Sequence, residues 1–309
     1  MFDEVDALTP AAGEVVISVK ACGVNFPDTL IIQNLYQFKP ALPFSPGGEV
    51  AGIVKSVGTG VTHVNVGDAV IGFTGWGGYA EEARCAAAQV IAMPPDITFP
   101  VAASFTLAYG TSYHALKDRA QLKAGETLLV LGAAGGVGLA ACEIGAAMGA
   151  RVIACASSND KLAICKQYGA TEVINYNDEN LRERLNDLTN KRGVDVVYDP
   201  VGGAYSEPAL RAMAWKGRYL VVGFAAGEIP KIALNLTLLK GIIHHGRFWG
   251  AFLKNEPQLS AANIEALVTM ITSGKLKPLV SATYPLARAA DALNDVMARR
   301  VVGKVVLVT

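Results

Sequence analysis

Through the first ninety or so positions the apolar residues come in short β-branched clusters, EVVISVKACGV at 14–24 and GEVAGIVKSV at 48–57, separated by Gly, Pro and Asn. Side chains branched at Cβ suit a pleated strand and the punctuating residues suit turns, so this part is predicted to be mostly β. From about Leu128 the rhythm changes. Short apolar strands are predicted at 127–131, 151–155, 172–174, 195–198 and 218–222, with helical patterns of ten or more residues between most of them. Strands alternating with helices are the pattern of a parallel, doubly wound sheet. A helix is predicted over 258–273, stopping at Gly274, after which 279–281, a helix over 286–299 and a strand over 304–308 restore the β-rich character. The last stretch is therefore expected to return to the first domain. The chain then reads as a domain formed by 1–95 and 275–309, with 96–274 inserted in it.

Length agrees with this division, since 309 residues exceed what one core usually supports and two domains sharing a cleft are expected. Twenty-seven basic and 27 acidic residues cancel, so the electrostatics call for neither nucleic acid nor an anionic membrane. Cys22, Cys85, Cys142, Cys155 and Cys165 are scattered without a CxxC pair, which fits buried free thiols in a reducing compartment. There is no apolar run of about 18 residues, and MFDEVDALTP is acidic rather than signal-like. A cytosolic protein is expected.

The stretch TLLVLGAAGGVGLAACEIGAAMGARVIAC brings chemistry into the picture. Gly132, Gly135, Gly136 and Gly138, with Ala134 and Val137 among them, follow an apolar strand and precede an alanine-rich helix. Small residues let the backbone approach a pyrophosphate, and the helix N-terminus stabilises its charge. The alternative is a glycine turn serving tight helix–strand packing. About twenty residues past the first glycine, NAD enzymes usually carry Asp or Glu for the ribose 2′-hydroxyl. This chain has Cys155, Ala156, Ser157 and Ser158 there. Hydroxyls with Lys161 nearby, and no carboxylate at the strand end, favour the 2′-phosphate of NADPH. The competing reading has Ser158 or Asn159 capping the next helix and Lys161 in solvent, and Asp160 keeps NADH open.

With these features in order, the chain resembles the medium-chain dehydrogenase/reductase superfamily, and within it the zinc-free quinone oxidoreductase branch that includes ζ-crystallin. The resemblance covers nearly the whole chain and rests on KACGVNFPDTL at 20–30, PFSPGGEVAGIVKSVG at 43–58, VGDAVIG at 66–72, GGYAEE at 77–82, LGAAGGVG at 131–138, VVGF at 221–224 and VGKVVL at 302–307. It implies an α/β fold in which a Rossmann doubly wound parallel sheet is inserted in a GroES-like β-rich catalytic domain. Zinc members carry a cysteine ligand at the position of Asn25 and a histidine at that of Gly48, neither of which this chain can match with a zinc-binding side chain. The lobe that would hold a second zinc is reduced to FTGWG between Gly72 and Gly78. No metal is expected. Relative to the family the N-terminus is short by about one strand.

The resemblance also implies the site residues. Asn25, Asp28 and Tyr36 border the acceptor, Asn25 by hydrogen bonding and Tyr36 by lining the pocket or donating a proton. The alternative for Asn25 and Asp28 is that they shape a turn. The run ASFTLAYGTSYHAL at 103–116 corresponds to a helix approaching the nicotinamide, which makes Thr111 and Tyr113 candidates, although aromatics at helical spacing are more often core. Lys161 and Tyr176 correspond to contacts with the adenosine phosphate. Gly223 and Phe224, and the segment Phe248, Trp249 and Gly250, correspond to residues closing over the nicotinamide end. Arg299 or Arg300 could face the 2′-phosphate, and Lys304 is a further cofactor-side candidate. The four histidines have no metal-ligand spacing. The activity implied is NADPH-dependent hydride transfer to a quinone or enone; the alternatives are an enoyl-thioester or alkenal reductase on the same scaffold, or a non-enzymatic NADPH-binding protein. A homodimer is expected by analogy, with 218–224 followed by 232–239 extending a sheet across a two-fold axis.

Overall fold

The β-branched run at 14–24 folds as one long strand, β1 (Glu14–Val24), followed by a short helix α1 (Phe26–Ile31). Pro27 sits in the first turn of α1, where the missing N–H costs nothing. Then come β2 (Glu49–Val57), β3 (Ala69–Phe73), β4 (Glu82–Ala86), β5 (Val90–Ala92) and helix α2 (Phe99–Tyr113), which continues as a π-helical stretch over His114–Arg119. This computed structural model describes residues 3–246 and 249–309. The chain divides into unit 1, residues up to 107 with 277–309, and unit 2, residues 108–276.

Unit 2 is built on six parallel strands, β6 (Thr127–Val130), β7 (Arg151–Ala156), β8 (Glu172–Asn175), β9 (Val194–Asp199), β10 (Met213–Val221) and β11 (Ile243–Gly246), in the spatial order β11-β10-β9-β6-β7-β8. Its helices are α3 (Gly136–Ala147), α4 (Asn159–Gln167), α5 (Leu181–Leu188), α6 (Ser206–Arg211), α7 (Asn235–Lys240), α8 (Trp249–Asn255) and α9 (Pro257–Thr272). A parallel strand is covered on both faces, which is why β6 is apolar without alternation and buried at every position. Leu129, Leu131, Ile153 and Ile174 are fully buried, each contributing about 1.5–3 kcal/mol by leaving water.

The strands predicted at 127–131, 151–155, 172–174, 195–198 and 218–222 are present, and one of them differs instructively. β10 starts at Met213 rather than at 218, because the chain crosses Trp215, Lys216 and Gly217 as an irregularity in the strand with Lys216 at φ 61°. The expectation that 232–239 extends the sheet is overturned. Residues from Asn235 form α7, stopped by Gly241 at φ 60°, and the edge strand is β11.

The chain then returns to unit 1 through β12 (Val280–Pro285), a 3₁₀ turn at Leu286–Arg288, α10 (Ala289–Met297) and β13 (Lys304–Val308). The helix predicted over 286–299 is thus shorter, and Arg299 takes a left-handed φ of 56° beyond its end. Unit 1 carries a seven-stranded sheet in the order β12-β13-β1-β2-β3-β5, with β4 also paired to β1. The last strand lies antiparallel to β1, Ala21 opposite Val308 and Val24 opposite Val305. Val15, Ile17, Val19, Val50, Val54, Val305 and Leu307 form its core.

Candidate functional site

The turn between β6 and α3 is shaped by its small residues. Gly132 has φ +57°, and a Cβ on Gly138 would lie 2.3 Å from the carbonyl oxygen of Gly132. Gly135 is the extended N-cap of α3 at φ −76° and ψ 171°, and among the described residues no side chain caps the helix. Its first-turn N–H groups therefore need acceptors from outside, and the donor set suits phosphate oxygens. Ala134 and Gly138 are buried, while Gly135, Gly136 and Val137 are half-buried. The Val137 carbonyl accepts the Ser112 hydroxyl at 2.9 Å, and Ser112 in turn meets the Tyr198 hydroxyl at 2.8 Å.

At the end of β7, Ser158 is the N-cap of α4 and accepts the Lys161 N–H at 3.4 Å, as the competing sequence reading has it. The Lys161 ammonium lies 3.5 Å from the Ser157 hydroxyl. Asn177 donates to the Ser157 carbonyl at 2.9 Å, and the Tyr176 ring packs against Tyr205 with centroids 4.3 Å apart. Ser157, Ser158, Lys161 and the loop bearing Tyr176 are thereby held at one corner of unit 2, with hydroxyls and an ammonium group and with Asp160 exposed in the first turn of α4.

Elsewhere in unit 2, Thr111 is buried on α2 and Lys117 stands over the Tyr113 ring at 5.3 Å. The Trp249 ring packs on Gly110, where a Cβ would come within 2.8 Å of it. Gly250 follows Trp249 in α8, and Phe248 lies outside the described residues. Gly223 donates to the Asp199 carbonyl at 3.3 Å, and Phe224 packs over Gly202.

Unit 1 brings Asn25 and Asp28 together with residues the sequence reading passed over. Glu49, 0% exposed, accepts the Asn25 amide at 3.2 Å, the Thr106 hydroxyl at 2.7 Å and the Leu107 N–H at 2.9 Å. The Lys304 ammonium lies 3.3 Å from the same carboxylate and donates to Asn25 Oδ1. Lys304, a cofactor-side candidate, is buried, and its ammonium pairs with Glu49 in the polar core of unit 1. Asp28 accepts the Asn25 N–H at 2.8 Å and the Tyr79 hydroxyl at 3.0 Å. Burial raises its pKa to about 6 against those hydrogen bonds. Tyr36 is half-buried with Phe38 edge-on at 5.8 Å, and its phenol is pushed up by burial and by the charge of Asp28. Arg299 is exposed after α10, and Arg300 pairs with Asp295.

The omissions are Glu49, Tyr79 and Thr106 in unit 1 and Asp199 in unit 2. An acid within GGEVAGIV, a run otherwise built for burial, is the one signal that pointed to Glu49. Among the described residues no three His, Cys, Asp or Glu side chains group as a metal would require, and no helix is long and apolar enough to cross a membrane.

Two outcomes follow from the unit 1 cluster. Lys304→Met leaves the Glu49 carboxylate buried without its cation and is expected to lower the unfolding free energy by about 3–5 kcal/mol in urea, most of it recovered when Glu49→Gln is added. Asp28 keeps its proton in the folded state where the unfolded chain has lost it, so its contribution to stability falls as pH rises from about 3.8 to about 6. The stability of the wild type relative to Asp28→Asn should therefore drop by about 3 kcal/mol across that window. A difference independent of pH would refute the raised carboxyl.

The alcohol dehydrogenase GroES-like domain family matches residues 11–95, and the zinc-binding dehydrogenase family matches residues 136–266. Quinone oxidoreductase-like protein 2 homolog of Nematostella vectensis is 40% identical over 299 residues, covering 96% of this chain and 82% of that protein. The structure of Escherichia coli quinone oxidoreductase complexed with NADPH superposes with a TM-score of 0.94 at 32% identity, covering 99% of this chain and 95% of that one. CurK enoyl reductase gives a TM-score of 0.89 at 28% identity, covering 99% of this chain and 94% of that one. With β-rich and Rossmann-type units in the matching order, the chain belongs to the quinone oxidoreductase branch of the medium-chain dehydrogenase/reductase superfamily.

Proposed function

We propose that the protein is an NADPH-dependent, zinc-independent reductase of quinones or related enones, acting by hydride transfer. The observation that carries this reading is the glycine turn at the start of α3, whose first-turn donors no side chain caps among the described residues. On this reading the first-turn N–H groups of α3 bind the pyrophosphate, and Ser157 and Lys161 hold the 2′-phosphate. The nicotinamide, when bound, supplies the hydride. Thr111, Tyr113, Gly223, Phe224, Trp249 and Gly250 would surround that end, with Tyr176 at the adenosine phosphate.

In unit 1, Asn25 and Asp28 shape the acceptor side, and Tyr36 donates the proton that the reduced acceptor oxygen takes up. A phenol held up by burial and by Asp28 is fully protonated at neutral pH, as a donor must be. Zinc independence is supported by the Lys304 ammonium bonded to Asn25, the position of a cysteine ligand in zinc members of the superfamily, since a second cation there would be repelled. Residues 1–95 with 275–309 are assigned as the catalytic domain and 96–274 as the nucleotide-binding domain. The likeness to CurK enoyl reductase favours a second reading, an enoyl-thioester or alkenal reductase on the same scaffold. Five buried free thiols support a cytoplasmic location.

Titration with NADPH and NADH, then oxidation by 1,4-benzoquinone, 9,10-phenanthrenequinone and a simple enone with and without chelator, checks the reading. NADPH is expected to bind at least about tenfold tighter, the worth of one charge-assisted contact, with turnover untouched by chelator. Equal affinities would remove the role of Ser157 and Lys161, and loss of activity with chelator would remove zinc independence.

We infer a homodimer as well. β11 ends the unit 2 sheet, and Ile243, Leu238 and Trp215, at 53%, 80% and 68% exposure, lie on or near that edge. A second copy pairing there would cover backbone groups and apolar side chains together. Sedimentation equilibrium should give twice the chain mass, and Ile243→Lys with Leu238→Glu should give the monomer. A monomeric wild type would end this inference.

A further inference from the structure

The connections of the unit 2 sheet reverse between two neighbouring strands. From β6 the chain builds outward through β7 and β8, then returns to β9 on the other side of β6 and builds through β10 and β11. In such sheets the ligand crevice opens at the carboxyl ends of the strands where the order reverses. The 132–138 turn after β6 is one wall of it, and the segment after β9 is the other. They are in contact, since a Cβ on Gly132 would lie 2.6 Å from Val201 Cγ2 and 3.8 Å from Pro200 Cγ.

Asp199 closes β9 and is buried. Its Oδ1 accepts the N–H groups of Val201 and Gly202, both at 2.8 Å, which folds the chain back on the strand end. Its Oδ2 accepts the hydroxyls of Ser206 at 2.7 Å and Tyr219 at 2.5 Å. The backbone of the same turn carries the next one. The Asp199 carbonyl takes the N–H groups of Val222 and Gly223, the Pro200 carbonyl that of Ala225 and the Val201 carbonyl that of Ala226. Four donors on one carboxylate thus set two consecutive turns, from Pro200 to Ala226.

We propose that Asp199 is the positioning residue for the nicotinamide half of the dinucleotide: by fixing residues 200–202, and through them Gly223 and Phe224, it sets the wall of the crevice that faces the phosphate loop. The inference rests on the dinucleotide reading above and adds which half of the ligand this wall serves. The adenosine end lies on the other side of β6, toward the ends of β7 and β8, so Asp199 governs affinity for the nicotinamide half alone. Charge and geometry act in opposite directions here. Removing an acid beside an anionic ligand would by relief of Coulomb repulsion alone tighten binding, whereas loosening the wall weakens it.

The test compares NADPH with 2′,5′-ADP, which lacks the nicotinamide half, by calorimetric titration of the wild type and Asp199→Asn, with near-ultraviolet circular dichroism as the check on folding. Asp199→Asn is expected to weaken NADPH about tenfold or more, since displaced contacts lose most of their worth, and to leave 2′,5′-ADP within about twofold. Tyr219→Phe removes one of four donors and keeps the turn; it should show the same asymmetry at about threefold, and it carries the test if Asp199→Asn does not fold. Equal loss of both ligands, or no loss of NADPH, overturns the role of Asp199 and leaves the dinucleotide reading standing. A wild type that binds neither ligand overturns both.

Discussion

Unit 1 depends on one buried ion pair. Glu49 sits on β2 at the centre of the sheet, with no exposure, and an isolated carboxylate there would be untenable. It is made tolerable by the Asn25 amide from the turn after β1, the Thr106 hydroxyl and Leu107 N–H from α2, and the ammonium of Lys304 from β13. Lys304 stands 255 residues further along the chain. The return of the C-terminal segment therefore completes a charge balance as well as a sheet. Replacing the pair by apolar residues could leave stability unharmed, but removing one partner cannot, and the pair's value lies in fixing which strand ends meet.

Three buried acids are handled in three ways. Glu49 has a cation. Asp199 has four neutral donors, two of them backbone N–H groups, and works as the keystone of a turn. Asp28 has backbone N–H groups and a phenol, which fall short of the cost of burial, and its pKa rises to about 6. The difference follows from what each carboxylate holds. Asp28 needs only to close the first turn of α1, a role that survives protonation of one oxygen.

Much of this was legible from residue order. The strand at 14–24 and the strand at 304–308 have the bounds their apolar runs suggest, and the glycines at 132–138 sit between strand and helix as the chemistry of a phosphate turn requires. Where legibility failed, two structures shared one pattern. Apolar residues at 232–239 suit a buried strand or one face of a short helix equally, and Gly241 in a left-handed conformation decided for the helix. Polar partners were hidden for a different reason. That Glu49 meets Lys304, or Asp28 meets Tyr79, depends on contacts between residues far apart in sequence, and no local spacing encodes them.

The same contacts separate Asn25 and Asp28 from Tyr36. Both ends of the Asn25 amide are engaged, Nδ2 with the Gly23 carbonyl and Glu49, and Oδ1 with Lys304. Asp28 is buried against Tyr79. Side chains so committed are suited to fixing the shape of a turn, and loss of activity on replacing them would report that shape as much as any contact with substrate. Tyr36 is different: half-buried, on an irregular loop, with aromatic neighbours and the charge of Asp28 felt through the protein. If a proton is delivered to a reduced acceptor from unit 1, Tyr36 is the group with the acid to deliver it, and Asn25, Asp28 and Glu49 form the rigid base from which it acts.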